Sequence, residues 1–232
     1  MEFSAVVEMR RSVRKFTADS VPESVIEKAL ADALKAPNSS NMQQWEFYWV
    51  RSPEKKSKLV EACFSQPAAK TAAELIVAVA RIDTWKRNRQ LMLEALEALP
   101  KAPRSAWSYY RKIVPMNYRQ GPFSILGRCL GLVMNLAGLL RPVPRGPYSK
   151  RELSLIAVKS TALACENLML SVFDQGFACC PMEGHDECRV AQIVGIPRSA
   201  RVVMVIGVGV ADPSGIYSPR IRFDSQLFVK KI

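Results

Sequence analysis

Histidine is almost absent from this chain: His185 is the only one in 232 residues. A single imidazole cannot build a histidine-rich metal centre. It also leaves no obvious base for a Ser/His/Asp or Cys/His nucleophilic set, and His185 reads better as a helix-start residue than as an acid–base catalyst. Both glycine-rich nucleotide fingerprints are missing; there is no Gly-x-Gly-x-x-Gly and no Gly-Lys-Ser/Thr. The six cysteines, Cys63, Cys129, Cys165, Cys179, Cys180 and Cys188, include no Cys-x-x-Cys pair, so no metal site is expected. No repeat and no low-complexity tract occurs. No secretory leader is evident, since Met1-Glu2-Phe3 opens directly into an amphipathic stretch. With most cysteines set among apolar neighbours, the chain reads as cytoplasmic, with reduced thiols.

Positive charge is abundant. The net charge is +12, against an ordinary 49% of hydrophobic residues. Such a chain attracts phosphates, acidic cofactors, nucleic acid or anionic lipid. The basic residues are dispersed along the sequence, and no helix-turn-helix, zinc-finger or RNA-binding signature accompanies them. Nucleic-acid binding is therefore not expected. A non-catalytic basic module for nucleic acid or anionic membrane stays as an alternative.

Apolar spacing predicts helices over residues 3–11, 22–36, from Pro53, over 83–99, 149–175 and 186–194. The 149–175 helix is apolar nearly all round, which marks it as the central core helix. Strands are predicted at Trp45 to Val50, Leu75 to Ala80 and Arg201 to Val210, out of about four in all. Strands and helices do not alternate regularly, so the class is α+β in a single domain, 1–232. Residues 100–148 carry seven prolines that break the pattern, and 82–148 reads as an insertion or lid.

Four stretches could carry chemistry. Arg10, Arg11, Ser12 and Arg14 put three guanidiniums and a hydroxyl within five residues, a donor set suited to phosphate. A solvated basic turn would have the same composition. Arg220 and Arg222 flank Ile221 and would face one side of an extended segment. The Pro37-Asn38-Ser39-Ser40-Asn41-Met42-Gln43-Gln44-Trp45 loop offers short polar side chains to the rim of a heteroaromatic ring, or is an ordinary helix-to-strand connection. Pro181-Met182-Glu183-Gly184 leads into a helix whose first amides could donate to an electron-rich atom.

Taken in chain order, the four stretches resemble the FMN-dependent nitroreductase family, which opens with Arg-x-Ser-x-Arg/Lys. It continues with Pro-Ser-x-x-Asn-x-Gln-Pro-Trp and Pro-x-Glu-Gly, and closes with Lys/Arg-x-Arg. The resemblance covers residues 1–80 and 150–225 and is weak over 82–148. It implies a sandwich of a central, mostly antiparallel sheet flanked by helices, in an intertwined homodimer with FMN at the subunit interface. Arg10, Ser12, Arg14 and Arg222, with Arg11 and Arg220, would then hold the phosphate and pyrimidine side. Pro37, Asn38, Ser39 and Asn41 would come from the partner subunit, and Gln66 would reach the pyrimidine edge. The backbone of Pro181, Met182, Glu183 and Gly184 would face the redox-active ring nitrogen.

NADPH or NADH would supply hydride in a ping-pong cycle, to a small aromatic, quinone or nitro acceptor. No catalytic side chain is implied, because the chemistry sits on the flavin. Gln44 departs from the family's usual proline, and Asn38 from a common serine. Reductive dehalogenation or flavin fragmentation is the alternative within the superfamily. Dehalogenating members use a Glu, Tyr and Lys set, and Tyr109, Tyr110 and Lys112 form no convincing counterpart.

The 82–148 segment should choose the acceptor, with Trp107, Tyr109 and Tyr110 stacking on it or forming the core of a helical excursion. Phe123 to Leu140 is apolar but broken by Arg128, and shorter than the roughly 20 residues a spanning helix needs. A lid or dimer-contact helix is the first reading of it, and a membrane-surface helix flanked by Arg119, Arg128, Arg141 and Arg145 the second.

Overall fold

Four strands make one antiparallel sheet: β1 (Trp45–Trp49), β2 (Glu74–Ala80), β3 (Ala178–Met182) and β4 (Arg201–Gly209), in the spatial order β1-β2-β4-β3. The computed structural model describes all 232 residues. The middle strands are apolar without a break because both sheet faces are covered. Side chains alternate across a strand, so Ile76 and Ala78 point to one layer and Leu75, Val77 and Val79 to the other. Ile76 stands opposite Ile206, and a bulge between Ala78 and Val79 shifts the register, pairing Val79 with Val202.

One layer is built by α2 (Glu23–Ala33) and α9 (Lys150–Asp174). Ile26, Ala29 and Ala33 of α2 and Ala164, Cys165, Leu168 and Val172 of α9 pack on Trp45, Ile76 and Ile206. The opposite layer is built by α3 (Pro53–Ala62), α4 (Pro67–Lys70) and α10 (Glu187–Val194), with Leu59, Ala69 and Val190 at its centre. The expected α+β sandwich is therefore present. Caps set the helix ends: Ser149 Oγ accepts from Glu152 N, the Asp186 carboxylate accepts from Arg189 N, and Gly195 at φ +75° ends α10. The 25-residue α9 is long and apolar enough to cross a membrane, yet it supplies the core beside the sheet.

Two expectations need correction. Residues 178–182, to which the apolar pattern assigns no strand, form β3. Ala-Cys-Cys-Pro-Met has no strand alternation and contains Pro181, which an edge strand tolerates because one side of it needs no ladder hydrogen bond. Residues 100–148, read as broken by their prolines, are mostly helical, and with the expected helix over 83–99 they make 82–148 a helical segment. It comprises α5 (Trp85–Glu97), α6 (Arg104–Ser108), a π-helical turn at Tyr109–Ile113, α7 (Val114–Tyr118) and α8 (Ile125–Ala137). Pro103, Pro115 and Pro122 stand at starts of helical turns, where a missing N–H costs nothing. Met42, Leu93, Leu96, Tyr110 and Val114 give this segment a small core of its own.

Candidate functional site: an arginine cradle beside the edge strand

The chain runs from α1 (Phe3–Met9) into an extended stretch that joins the outer side of β3. Ser12 pairs with Cys179, and Val13 N donates to Cys179 O at 3.1 Å. Val13 and Phe16 are buried in the core and pull this stretch inward. Arg14, between them, is left facing solvent. Arg14 N donates to Gly215 O at 2.9 Å, which ties the stretch to the C-terminal tail. Gly215 permits this approach: a Cβ there would stand 2.5 Å from Lys15 O and 2.7 Å from Lys15 N. The Lys15 ammonium adds an ion pair to Asp212 at 3.1 Å. Hydrogen bonds from Ser214, then from Lys15, hold the Asp212 carboxyl at about 2.

The tail returns over the arginines. Arg11 donates to Ser218 O at 2.6 Å. Arg220 donates to Val7 O at 3.3 Å and to Arg10 O. The result is a cleft of about 220 Å³ lined by Arg10, Arg11, Ser12, Arg14, Arg220 and Arg222, with Ser218, Pro219 and Ile221. Five arginines and two serines, Ser12 and Ser218, line it, and no carboxylate does. The nearest acid, Glu166 of α9, stands 3.9 Å from Arg10 Nε outside the lining. Each guanidinium carries five donors, and the carbonyls above engage one or two of them, so most remain for a ligand. A donor set this positive fits a dianionic phosphate.

The six cradle residues expected from sequence thus converge. Sequence reasoning missed Ser218, Pro219 and Tyr217, whose ring lies 5.5 Å from the Arg14 guanidinium carbon. Their nearness to Arg220 was the only signal available.

The remaining expected residues form two further groups. Gln66 Nε2 donates to Gly184 O at 3.0 Å and to Cys63 O at 3.1 Å, joining the α4 start to the Glu-Gly turn. Pro181 and Met182 lie in β3, while Glu183 and Gly184 are exposed just beyond it. His185 N donates to Glu183 O at 3.0 Å, and Asp186 N to Ala62 O at 2.8 Å, so this turn is held on both sides.

The Pro37–Asn41 loop belongs to a different cleft, where Pro37, Asn38 and Ser39 meet Ile156, Lys159 and Leu163 of α9. Asn38 Oδ1 accepts from Gln43 N at 2.8 Å, and Ser39 N donates to Ser160 Oγ at 3.3 Å. Ser40, Asn41 and Gln43 all have positive φ, which fixes a tight path for the loop. Gln44, which stands where the family places proline, is buried and accepts from Tyr118 OH at 2.8 Å.

The same loop carries the helical excursion. Tyr109 OH lies 2.5 Å from Ser40 Oγ, and Tyr110 OH donates to Ser40 O at 2.8 Å. Tyr110 is a member of the small core, so its ring is not free to stack on an acceptor. The Trp107 ring carries the Arg111 guanidinium at 4.4 Å, and Tyr109 is half-buried.

The buried thiols are not activated. Burial pushes Cys63 up to about 11 and both Cys165 and Cys179 to about 12. These cysteines are neutral packing groups at physiological pH.

The comparisons with known proteins agree with this geometry. The model of the Nitroreductase family matches residues 7–210. Protein DrgA of Synechocystis is 26% identical over 208 residues, covering 89% of this chain and 82% of its own. A protein of Thermus thermophilus named NADH dehydrogenase is 25% identical over 232 residues, covering 93% of this chain and 89% of its own. A structure from Exiguobacterium sibiricum, solved in complex with FMN, superposes with a TM-score of 0.74 at 22% identity, over 100% of this chain and 98% of that one. The chain belongs to the nitroreductase family.

Proposed function

We propose that this protein is an FMN-dependent NAD(P)H oxidoreductase that passes electrons to a small aromatic, quinone or nitro acceptor in a ping-pong cycle. The observation that carries the reading is the cradle: five arginines and Ser12 around one cleft, with no acid among them. That donor set fits the phosphate of FMN, which one family neighbour holds. When bound, FMN supplies the redox chemistry, taking a hydride from the nicotinamide and giving it up to the acceptor.

The chain's own residues bind and orient. Arg10, Ser12, Arg14 and Arg222, helped by Arg11 and Arg220, neutralise the phosphate and fix the pyrimidine side. The backbone from Pro181 to Gly184, braced by the Gln66 amide on Gly184 O, would face the redox-active ring nitrogen. Pro37, Asn38, Ser39 and Asn41 reach the ring from a second copy of the chain. Two observations support that homodimer. The loop lines a cleft separate from the cradle, so one chain does not join the two halves. The tail beyond Pro219 also exposes Ile221, Phe223, Leu227 and Phe228, apolar groups that gain by covering a partner. The family assignment and reduced thiols fit a cytoplasmic enzyme.

The test is the visible spectrum of the purified protein, followed by anaerobic titration with NADH and NADPH. A flavin spectrum bleached by one of them is expected, with parallel lines in two-substrate kinetics. A protein that stays colourless with added FMN refutes the reading.

A further inference from the structure

Helix α8 sits on the protein by its glycines. A Cβ at Gly127 would overlap the Gln120 side-chain oxygen and the Tyr148 carbonyl, and one at Gly131 would come within 2.9 Å of the Tyr148 ring. The bare side of α8 therefore lies against Gln120 and Tyr148, while most of its large side chains project outward. Ile125, Cys129, Leu132 and Leu136 recur at helical spacing along one row, with Leu126 and Val133 beside it, and all six are exposed. Phe123 before the helix is 86% exposed and Leu140 after it 92%. A continuous apolar face of this kind needs a partner.

The charge around it identifies the partner's chemistry. Between residues 98 and 151 there are ten Lys and Arg and no Asp or Glu, and all ten are exposed. The rest of the chain is close to balanced, so most of the +12 net charge sits in this one segment. Arg128 lies at the margin of the apolar row. Arg145 crosses to the far end of α8, donating to Asn135 Oδ1 at 2.7 Å and to Gly138 O at 3.3 Å. A leucine-rich face flanked by arginines is the pattern of a helix lying in a bilayer interface, apolar groups among the acyl chains and arginines among anionic headgroups.

We propose that α8, with Phe123 and Leu139–Leu140, docks this protein on an anionic lipid surface. A second copy fits the face less well, because a two-fold contact would set two like-charged rims together. The exposed tail offers apolar surface for self-association elsewhere. Docking of this kind places the 82–148 segment, and whatever acceptor it admits, at the membrane boundary. It does not depend on the flavin assignment.

Cys129 gives a direct test, because it stands in the apolar row and is exposed. Cys188, the other exposed cysteine, lies on α10 and serves as an internal control. The rates at which a water-soluble maleimide modifies both would be measured alone, with phosphatidylcholine vesicles, and with vesicles that also contain phosphatidylglycerol. The anionic vesicles should slow Cys129 on the order of tenfold and leave Cys188 unchanged, with protection fading as salt is raised. The Leu132→Ser/Leu136→Ser variant changes only outward-facing positions, and circular dichroism would check that it folds. Its partitioning onto anionic vesicles, read by co-sedimentation, should fall on the order of a hundredfold.

Four results would each overturn the proposal. Cys129 could react at the same rate with and without lipid. It could be unreactive before lipid is added, which gives the face to a second copy. Neutral vesicles could protect it equally well. Duplex DNA could protect it where vesicles do not.

Discussion

Removing single arginines from the cradle should separate phosphate binding from ring binding. Arg14 is the cleanest target, because its backbone, not its side chain, ties the stretch to Gly215. Its guanidinium contacts the Tyr217 ring and otherwise faces the cleft. Arg222 is next, donating only to the neighbouring Ile221 O at 2.8 Å. A hydrogen bond to a charged group is worth about 1.5–3 kcal/mol. Each tenfold change in Kd corresponds to about 1.4 kcal/mol. Arg14→Ala and Arg222→Ala should therefore each weaken FMN about 10- to 150-fold. The double variant should lose less than the product, since both would grip one phosphate. Arg14→Lys should recover only part of the loss, because an ammonium keeps the charge without the fork. The assay is quenching of flavin fluorescence, run in parallel with riboflavin, which lacks the phosphate. Riboflavin affinity should fall less than FMN affinity in each variant, because riboflavin keeps the pyrimidine side but lacks the phosphate these arginines also grip. An FMN affinity within about twofold of the parent, or an equal loss with riboflavin, would falsify the phosphate role.

Other expectations follow from the same contacts. Gly215→Ala alters no cradle side chain, but its Cβ would press on Lys15 and move the tail; FMN affinity should fall, and an unchanged Kd would show that this approach does not place Arg220 and Arg222. Leu168→Ala opens a hole where a fully buried side chain fills the space between α9 and the sheet; urea unfolding should show a loss of about 2–5 kcal/mol. In the native protein at pH 8 a maleimide should modify Cys129 and Cys188 and spare the four buried thiols, with all six reacting in denaturant. Three of them, Cys63, Cys165 and Cys179, have folded pKa values above the ordinary 9.0, so the fold keeps them neutral where the unfolded chain ionises. Their contribution to stability is therefore full below pH 9 and is lost as pH rises toward about 11–12; denaturation midpoints that stayed flat over this range would contradict their burial. Tyr109→Phe removes the hydroxyl on Ser40 Oγ, and should alter KM for the acceptor more than FMN affinity; the opposite split would place Tyr109 with the cofactor.

Different physical signals made some parts of this protein readable in advance and hid others. The helices α2 and α9 were legible because their apolar spacing is long and their ends carry ordinary stop and cap residues. The strands β2 and β4 were legible because a sheet buried on both faces needs a continuous apolar run. β3 was hidden because it is short, has Pro181 within it, and owes its pairing to Val205 and its neighbours on β4 rather than to any local pattern. The convergence of Arg10 to Arg14 with Arg220 and Arg222 could be suggested by motif order. Its cause, the bridge from Ser12 to β3 and the close approach at Gly215, is a contact across some two hundred residues that no local window contains. Ser218 escaped notice for the same reason, since what it offers the cradle is a backbone carbonyl. In the 82–148 segment the prolines pointed the wrong way, because a proline that ends one helix in a sequence pattern can equally begin the next.

The excursion is not an independent lid resting on the sandwich. Tyr109 and Tyr110 both grip Ser40, Tyr118 grips Gln44, and the buried Asn88 donates to Met42 O at 2.7 Å. All four act on residues 40–44, at the end of the loop proposed to meet the flavin of a second copy. A change within the excursion would thus move the loop as well as the acceptor's surroundings. The Gln44 departure becomes intelligible in these terms. Proline at that position could not accept the Tyr118 hydroxyl, and the buried hydroxyl would then lose a partner, at a cost of about 1–3 kcal/mol. In this chain Gln44, one of the two residues that depart from the family motif, fastens the 82–148 segment to the loop proposed to meet the flavin.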